Sequence, residues 1–206
     1  MEKTSEPSNR VRAPWSRGVF PHQLSWLIDN PFRRLIVSPE TLAERLSPSD
    51  SSRILELGPG SGYFSAALAA RVPNGRLELF DLQPEMLAKA KRKLQGRGFN
   101  NVGYTVGNAS EDFPFPESHF DVAFLASVLG EVPDRTRCLR SLYRVLRPTG
   151  MLAFHESIPD PDLIRFETLH RLVEAQGFKL QCRWGRSWSY TATFLKSESR
   201  VAKGSA

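Results

Sequence analysis

The sequence predicts an α/β fold: a doubly wound, mostly parallel sheet of seven strands, with helices on both faces and an antiparallel hairpin at its C-terminal end. Three observations predict it. Short apolar runs alternate with amphipathic helical stretches from Arg53 to Ala175. A glycine-rich loop, Gly58-Pro59-Gly60-Ser61-Gly62, follows the first run and precedes a helix. The last two strand-like runs follow one another with no helix between them, so they must pair antiparallel.

Taken in order, Arg53–Leu57 is a short apolar strand and Tyr63–Arg71 an Ala-rich helix. Arg76–Phe80 is a second strand ending at Asp81. Pro84–Leu94 is a helix with proline in its first turn, where the missing N–H costs nothing. Its Leu87, Ala90 and Leu94 share one face, and Lys89, Lys91, Arg92 and Lys93 lie on the others. Val102–Val106 and Phe120–Ala126 are further strands. In the helix Asp134–Leu146, Leu139, Leu142, Val145 and Leu146 point inward and the arginines outward. Pro148-Thr149-Gly150 then turns the chain into strand Met151–His155. After helix Leu163–Ala175, the strands Phe178–Arg186 and Trp188–Lys196 meet at a turn near Arg186-Ser187. The α/β domain thus covers residues 53–196, between a helical segment at 15–52 and polar, disordered tails at 1–14 and 197–206. In that helical segment Trp15, Phe20, Trp26 and Phe32 accompany Leu24, Leu27 and Ile28, interrupted by Pro21 and Pro31. It reads equally well as a lid over a pocket or as a cover for a sheet edge.

The chain's 206 residues, 40% hydrophobic and 24% charged, suit one globular domain with a sizeable core. No apolar run reaches the ~18–20 residues that cross a bilayer. Met1 to Arg12 lacks the apolar segment of a signal peptide, so the expected location is the cytosol. Cys138 and Cys182 have no CxxC or His-rich company and read as reduced structural thiols, with no metal site. The net charge of +6 suits an acidic partner. The basic residues, Arg137, Arg140, Arg144 and Arg147 among them, are scattered, and most read as solvated helix faces. Nucleic acid is therefore an unfavoured partner, though not an excluded one.

The loop carries the chemistry. Glycines let the backbone turn sharply and approach a ligand at the carboxyl end of strand one, where open α/β sheets bind. Asp81, 23 residues after Gly58 at the end of strand two, can accept both hydroxyls of a ribose. The spacing is GxGxG, and Glu56 precedes it, an acid that repels a pyrophosphate but welcomes an ammonium. There is no GxxxxGK[ST] loop and no Tyr-x-x-x-Lys pair, so phosphate chemistry is disfavoured.

With these features the sequence resembles the class I S-adenosylmethionine-dependent methyltransferases, in particular their small-molecule-type subgroup. The resemblance is carried, in order, by ILELGPGSGYFS (54–65), LFDLQPEML (79–87), NASEDFPFPESHFDVAFLASVLGEV (108–132) and RVLRPTGML (144–152). It implies a Rossmann-like fold and S-adenosylmethionine as cofactor. By the resemblance, Glu56, Gly58, Gly60 and Gly62 hold the methionine part, and Asp81 takes the ribose hydroxyls. Leu82 and Met86 wall the adenine, Asn108 and Ala109 meet its edge, and Leu125 and Ala126 border the sulfonium. Asn108 stands where the family usually has aspartate, and Thr149 interrupts the usual Pro-Gly-Gly.

Methyl transfer from a sulfonium is an in-line displacement that needs alignment and exclusion of water more than covalent catalysis. Glu131, His155 and Glu156 are candidate bases near the expected pocket, each of which reads equally as a structural or solvated group. Ala126-Ser127-Val128-Leu129-Gly130 replaces the Asn/Asp-Pro-Pro-aromatic motif of exocyclic-amine methyltransferases. No cysteine follows a proline, which disfavours cytosine C5 attack, and the Asp/Asn metal cluster of catechol-type enzymes is not evident. A small-molecule acceptor remains, phenolic or isoprenoid by a similarity to ubiquinone/menaquinone-biosynthesis methyltransferases. An RNA or protein methyltransferase, an oxidoreductase and a non-catalytic cofactor-binding module are the alternatives. The oligomeric state is not readable from the sequence.

Overall fold

The structure, a computed structural model, describes residues 37–197. The aromatic segment from Trp15 to Phe32 and the terminal tails from residue 198 and up to residue 14 lie outside the described residues. The elements are α1 (Pro39–Leu46), β1 (Arg53–Leu57), α2 (Ser65–Arg71), β2 (Arg76–Asp81), α3 (Pro84–Gln95) and β3 (Val102–Val106). They continue with β4 (Phe120–Ala126), α4 (Arg135–Val145), β5 (Leu146–Ser157), α5 (Phe166–Glu174), β6 (Phe178–Arg186) and β7 (Ser189–Lys196).

The seven strands form one sheet in the order β3-β2-β1-β4-β5-β7-β6. β3 to β5 run parallel, and β7 pairs antiparallel with both β5 and β6, so the expected hairpin closes the sheet. The order reverses beside β1, and such a reversal opens a crevice at the carboxyl ends of the strands.

Strand side chains alternate between faces, and here both faces are covered. On one face Ile54, Leu77, Leu79, Phe124 and Ala153 pack with Leu42 and Leu46 of α1, Leu68 of α2, and Leu87, Ala90 and Leu94 of α3. On the other, Leu55, Phe80, Leu125, Leu152 and Phe154 pack with Cys138, Leu139 and Leu142 of α4 and Leu169 and Val173 of α5. Each fully buried Leu or Phe contributes about 1.5–3 kcal/mol, so this two-sided core is what holds the sheet edge in place. Helix α1 begins with a proline and a side-chain cap: Ser38 Oγ accepts from the Thr41 N–H at 3.0 Å.

The expected turn at Pro148-Thr149-Gly150 lies inside β5 as a bulge. Leu146 pairs with Phe120 and Met151 with Val122, so Arg147 to Gly150 stand opposite Asp121 alone. Arg147 Nη1 donates to Asp121 Oδ1 at 2.6 Å, while Asp121 Oδ2 accepts from the Arg53 N–H at 2.7 Å. Thr149 has φ +61°, a left-handed backbone that a β-branched residue rarely adopts. The arginines of α4 are not all outward. Arg140 is exposed, but Arg144 turns back to donate to the carbonyls of Phe113 at 2.6 Å and Phe115 at 2.8 Å. Its fork of donors satisfies loop carbonyls that no helix or strand reaches.

Candidate functional site

The carboxyl edge of the sheet brings the sequence-predicted residues to two places. At the first, β1 ends in Glu56-Leu57 and the chain enters a loop in which Gly58, Gly60 and Gly62 have φ of +59°, +56° and +79°. Helix α2 therefore begins only at Ser65, later than the sequence pattern suggests. The Gly58 N–H donates to the Phe80 carbonyl at 2.9 Å, stitching the loop to β2.

These glycines serve different neighbours. A Cβ on Gly58 would lie 2.4 Å from Val128 Cγ2, so the chain after β4 packs directly onto the loop. A Cβ on Gly62 would press on Ala90 of α3 at 3.3 Å. Around Gly60 the nearest atom to such a Cβ is Met86 Cε at 3.9 Å, which leaves a concave backbone surface open to a ligand. A cradle of that kind fits a cofactor laid against the loop.

Two acids flank this cradle. Glu56 is 2% exposed, and its Oε2 accepts from the Ser65 hydroxyl at 2.7 Å. Burial, with Asp81 nearby, raises its pKa from an ordinary 4.5 to about 7, against lowering by Ser65 and Lys93. Asp81 is also buried, and burial raises its pKa; N–H groups of Gln83, Gly60 and Leu82 oppose that rise. Asp81 Oδ1 accepts from the Gln83 N–H at 2.9 Å. Two carboxyls side by side in a poorly solvated notch suit a ligand that brings positive charge and hydroxyl donors.

Leu82 is 46% exposed beyond Asp81, and Met86 is buried beneath the loop. Asn108 and Ala109 follow β3 at the same edge. Asn108 Oδ1 already accepts from the Ser110 N–H at 2.9 Å, and its Nδ2 donates to Glu111 Oε1 at 3.3 Å. Leu125 is fully buried, and Ala126, half-buried at the end of β4, pairs with His155 of β5.

The second place lies at the end of β5, and here the three candidate bases part company. His155 and Glu156 are consecutive strand residues, so they occupy opposite faces. His155 sits on the α1–α2 face: its ring lies 6.0 Å from that of Phe64, and Nδ1 pairs with Thr191 Oγ1 at 3.2 Å. Arg45 Nη1 donates to the same threonine oxygen at 2.8 Å. Glu156 belongs to the α4–α5 face and is fully buried. Its Oε2 accepts from the Ile164 N–H at 3.2 Å, and burial raises its pKa to about 8. Glu131 is half-buried in the loop after β4 and contributes a like charge to Glu156.

Sequence reasoning did not single out Ser65, Val128 or Tyr190. Ser65 was discoverable, being the first serine after the glycines and close enough in sequence to fold back on Glu56. Nothing in the sequence announces that Val128 meets Gly58, or that the Tyr190 hydroxyl donates to the Ile164 carbonyl at 2.6 Å. The two cysteines are free; Cys138 is buried, which pushes its thiol up to about 12, and Cys182 is exposed. No helix among the described residues is long and apolar enough to cross a membrane.

Residues 54–150 match a family model described as a methyltransferase domain. A ubiquinone/menaquinone biosynthesis C-methyltransferase, UbiE, of Shewanella frigidimarina is 39% identical over 136 residues, covering 65% of this chain and 52% of that protein. The UbiE of Proteus mirabilis is 33% identical over 141 residues, covering 66% and 53%. The chain thus spans about half the length of these curated relatives. Among solved structures, a SAM-dependent methyltransferase from Aquifex aeolicus superposes with a TM-score of 0.80 at 21% identity, covering 86% of this chain and 100% of that one. The [4+2]-cyclase SpnF superposes at 0.69 with 19% identity, covering 80% of each chain, a likeness of fold alone. With four motifs in order, this strand order and a match to a methyltransferase domain over residues 54–150, the chain is similar to the class I S-adenosylmethionine-dependent methyltransferases and shares their fold.

Proposed function

We propose that the protein transfers a methyl group from S-adenosylmethionine to a carbon of a small, oxygen-bearing aromatic acceptor, of the quinol or phenol class. The observation that carries the reading is the pair of buried acids, Glu56 and Asp81, flanking the open backbone at Gly60. Glu56 takes the ammonium of the cofactor's methionine part, where an arriving positive charge favours the carboxylate. Asp81 accepts the ribose hydroxyls, and Gly58, Gly60 and Gly62 bring backbone close to the methionine part. Leu82 and Met86 flank the adenine, with Asn108 and Ala109 at its edge. Leu125 and Ala126 end β4 beside the sulfonium. Bound there, the cofactor supplies a methyl group on a good leaving group. The protein's share is then alignment of the acceptor and exclusion of water.

Support for a carbon acceptor comes from the UbiE relatives, which are named as C-methyltransferases of ubiquinone/menaquinone biosynthesis. An RNA acceptor draws less support, because Arg137, Arg144 and Arg147 are tied to Asp112, to loop carbonyls and to Asp121. The test is incubation with methyl-labelled cofactor and a reduced naphthoquinone carrying a short isoprenoid chain, followed by mass spectrometry. Label on a ring carbon, with one demethylated cofactor per product, is the expected result. Tighter calorimetric binding of NAD than of S-adenosylmethionine would defeat the proposal.

A further inference from the structure

Two buried polar atoms among the described residues end the neighbouring strands β4 and β5 without a hydrogen-bond partner. One is Oγ of Ser127, the other Oε1 of Glu156. Ser127 has φ +55° and its N–H donates at 2.9 Å to the carbonyl of His155, the residue before Glu156, so the ends of β4 and β5 lie side by side along the carboxyl edge. Buried polar atoms are nearly always paired, and leaving a carboxyl oxygen unpaired costs folding free energy with no structural return. Two such atoms at the ligand-binding edge of one sheet point to a ligand.

We infer that the carboxyl of Glu156 is the hydrogen-bonding anchor of the acceptor, donating its proton to an oxygen on the acceptor ring. This rests on the methyltransferase reading above. The geometry assigns the two oxygens different tasks. Oε2 accepts from the Ile164 N–H and is the carbonyl oxygen; Oε1 is the hydroxyl, and its proton has no protein acceptor. The surroundings keep it neutral. Burial dominates, Asp160 and Glu131 add like charge, and Arg135 and the Ile164 N–H oppose them; Tyr190, also raised by burial, faces it from β7. Arg135 is engaged elsewhere, donating to the carbonyls of Leu129 at 3.1 Å and Gly130 at 2.7 Å.

Residues 158–165 cover Glu156 with neither helix nor strand. The strap is fastened at Ile158, whose N–H donates to the Trp188 carbonyl, and at Ile164, which is held from both ends by Glu156 and Tyr190. It also presses on the chain after β4, since a Cβ on Gly130 would lie 2.1 Å from the Asp162 carbonyl oxygen. An acceptor reaches Oε1 when the strap lifts, and its oxygen replaces nothing, because Oε1 is unpaired beforehand. A neutral carboxyl donating to a phenolic oxygen also stabilises the ionised phenol, the form richest in electrons at the ring carbons.

The test uses the full chain saturated with S-adenosylhomocysteine, and hydroquinone as the probe. Infrared difference spectra at neutral pH should show one protonated-carboxyl band that disappears in Glu156→Gln and shifts when millimolar hydroquinone is added. Hydroquinone affinity should fall up to tenfold per pH unit above about 8, the range in which Glu156 ionises, and Glu156→Gln should bind with a flat profile. Gln keeps an acceptor for Ile164 and offers an N–H in place of the O–H, so the fold and the probe site persist. A band that does not move, a probe that does not bind, or an affinity that is level or rises across that pH would overturn the assignment. Loss of S-adenosylhomocysteine binding itself would instead overturn the methyltransferase reading, and calorimetry on the same protein separates the two.

Discussion

At the β1–β2 end of the carboxyl edge the candidate site is made largely of backbone: three glycines in left-handed conformations, N–H groups of Gly60, Leu82 and Gln83 aimed at Asp81, and Glu56 held by Ser65 nine residues on. At the β5 end it is made of groups on three separate elements, with the Glu156 side chain under Ile164, Tyr190 of β7 holding Ile164, and the Ser127 backbone against His155. The first arrangement is rigid, because positive-φ loops tolerate few residues. The second is held by single hydrogen bonds, each worth about 0.5–1.5 kcal/mol, and can open. On the proposed function, a fixed cofactor notch beside an adjustable acceptor region would let one fold keep its donor and change its acceptor.

The largest expected effect is on the rigid half. Gly58→Ala places a methyl group 2.4 Å from Val128 Cγ2 at φ +59°. Crowding and left-handed backbone each cost about 1–2 kcal/mol, so thermal midpoint and cofactor binding should both drop sharply. Adding Val128→Ala should recover the crowding part alone. If Gly58→Ala melted and bound like the wild type, the contrast between a rigid and an adjustable half would fall.

Next, Asp81→Ala should weaken S-adenosylmethionine by about 1.5–3 kcal/mol, the cost of hydrogen bonds to a charged group, while the fold survives. Calorimetric titration decides it. Normal binding would reduce Asp81 to an ordinary strand-end carboxylate.

A smaller effect follows from Glu56. Its folded pKa is raised from 4.5 to about 7, so the folded state holds the proton over that window and the unfolded state does not. Stability from the neutral form is present below about pH 4.5 and is lost as pH rises to about 7. Cofactor affinity runs the other way. The ammonium favours the carboxylate, so the dissociation constant should fall with rising pH up to about 7, by at most about tenfold per unit, and then level off. In Glu56→Gln both dependences should flatten. A wild-type affinity independent of pH from 5 upward would show that the ammonium lies elsewhere.

The smallest effect sharpens the comparison from the other side. Tyr190→Phe removes one buried hydrogen bond to Ile164, at about 1 kcal/mol of stability. Cofactor affinity should stay unchanged while the KM of the acceptor moves, because only the strap over Glu156 is loosened. A change in cofactor affinity would mean that the two halves are not separable.

The amino-acid sequence by itself determined the strands, the order of helix and strand, the glycine loop and the acid at the end of β2. Those features rest on local chemistry: alternating apolar runs, glycine's freedom at positive φ, and residues a fixed distance along a strand. Even the separation of His155 from Glu156, both candidate bases near the expected pocket, follows from strand alternation. Tertiary structure alone decided the rest. Val128 is what Gly58 must accommodate, seventy residues on. Arg144 binds loop carbonyls that lie about thirty residues earlier, when its place on α4 suggested solvent. Arg147 to Gly150 form a bulge pinned by Asp121 where the residues read as a plain turn. The burial of Glu156, and with it the rise of its pKa, depends on Ile164 and Tyr190 packing around it. Such facts arise from long-range packing, which sets dielectric and hydrogen-bond partners together; apart from Glu156 and Ile164, eight residues apart, no short window along the chain contains both members of these pairs.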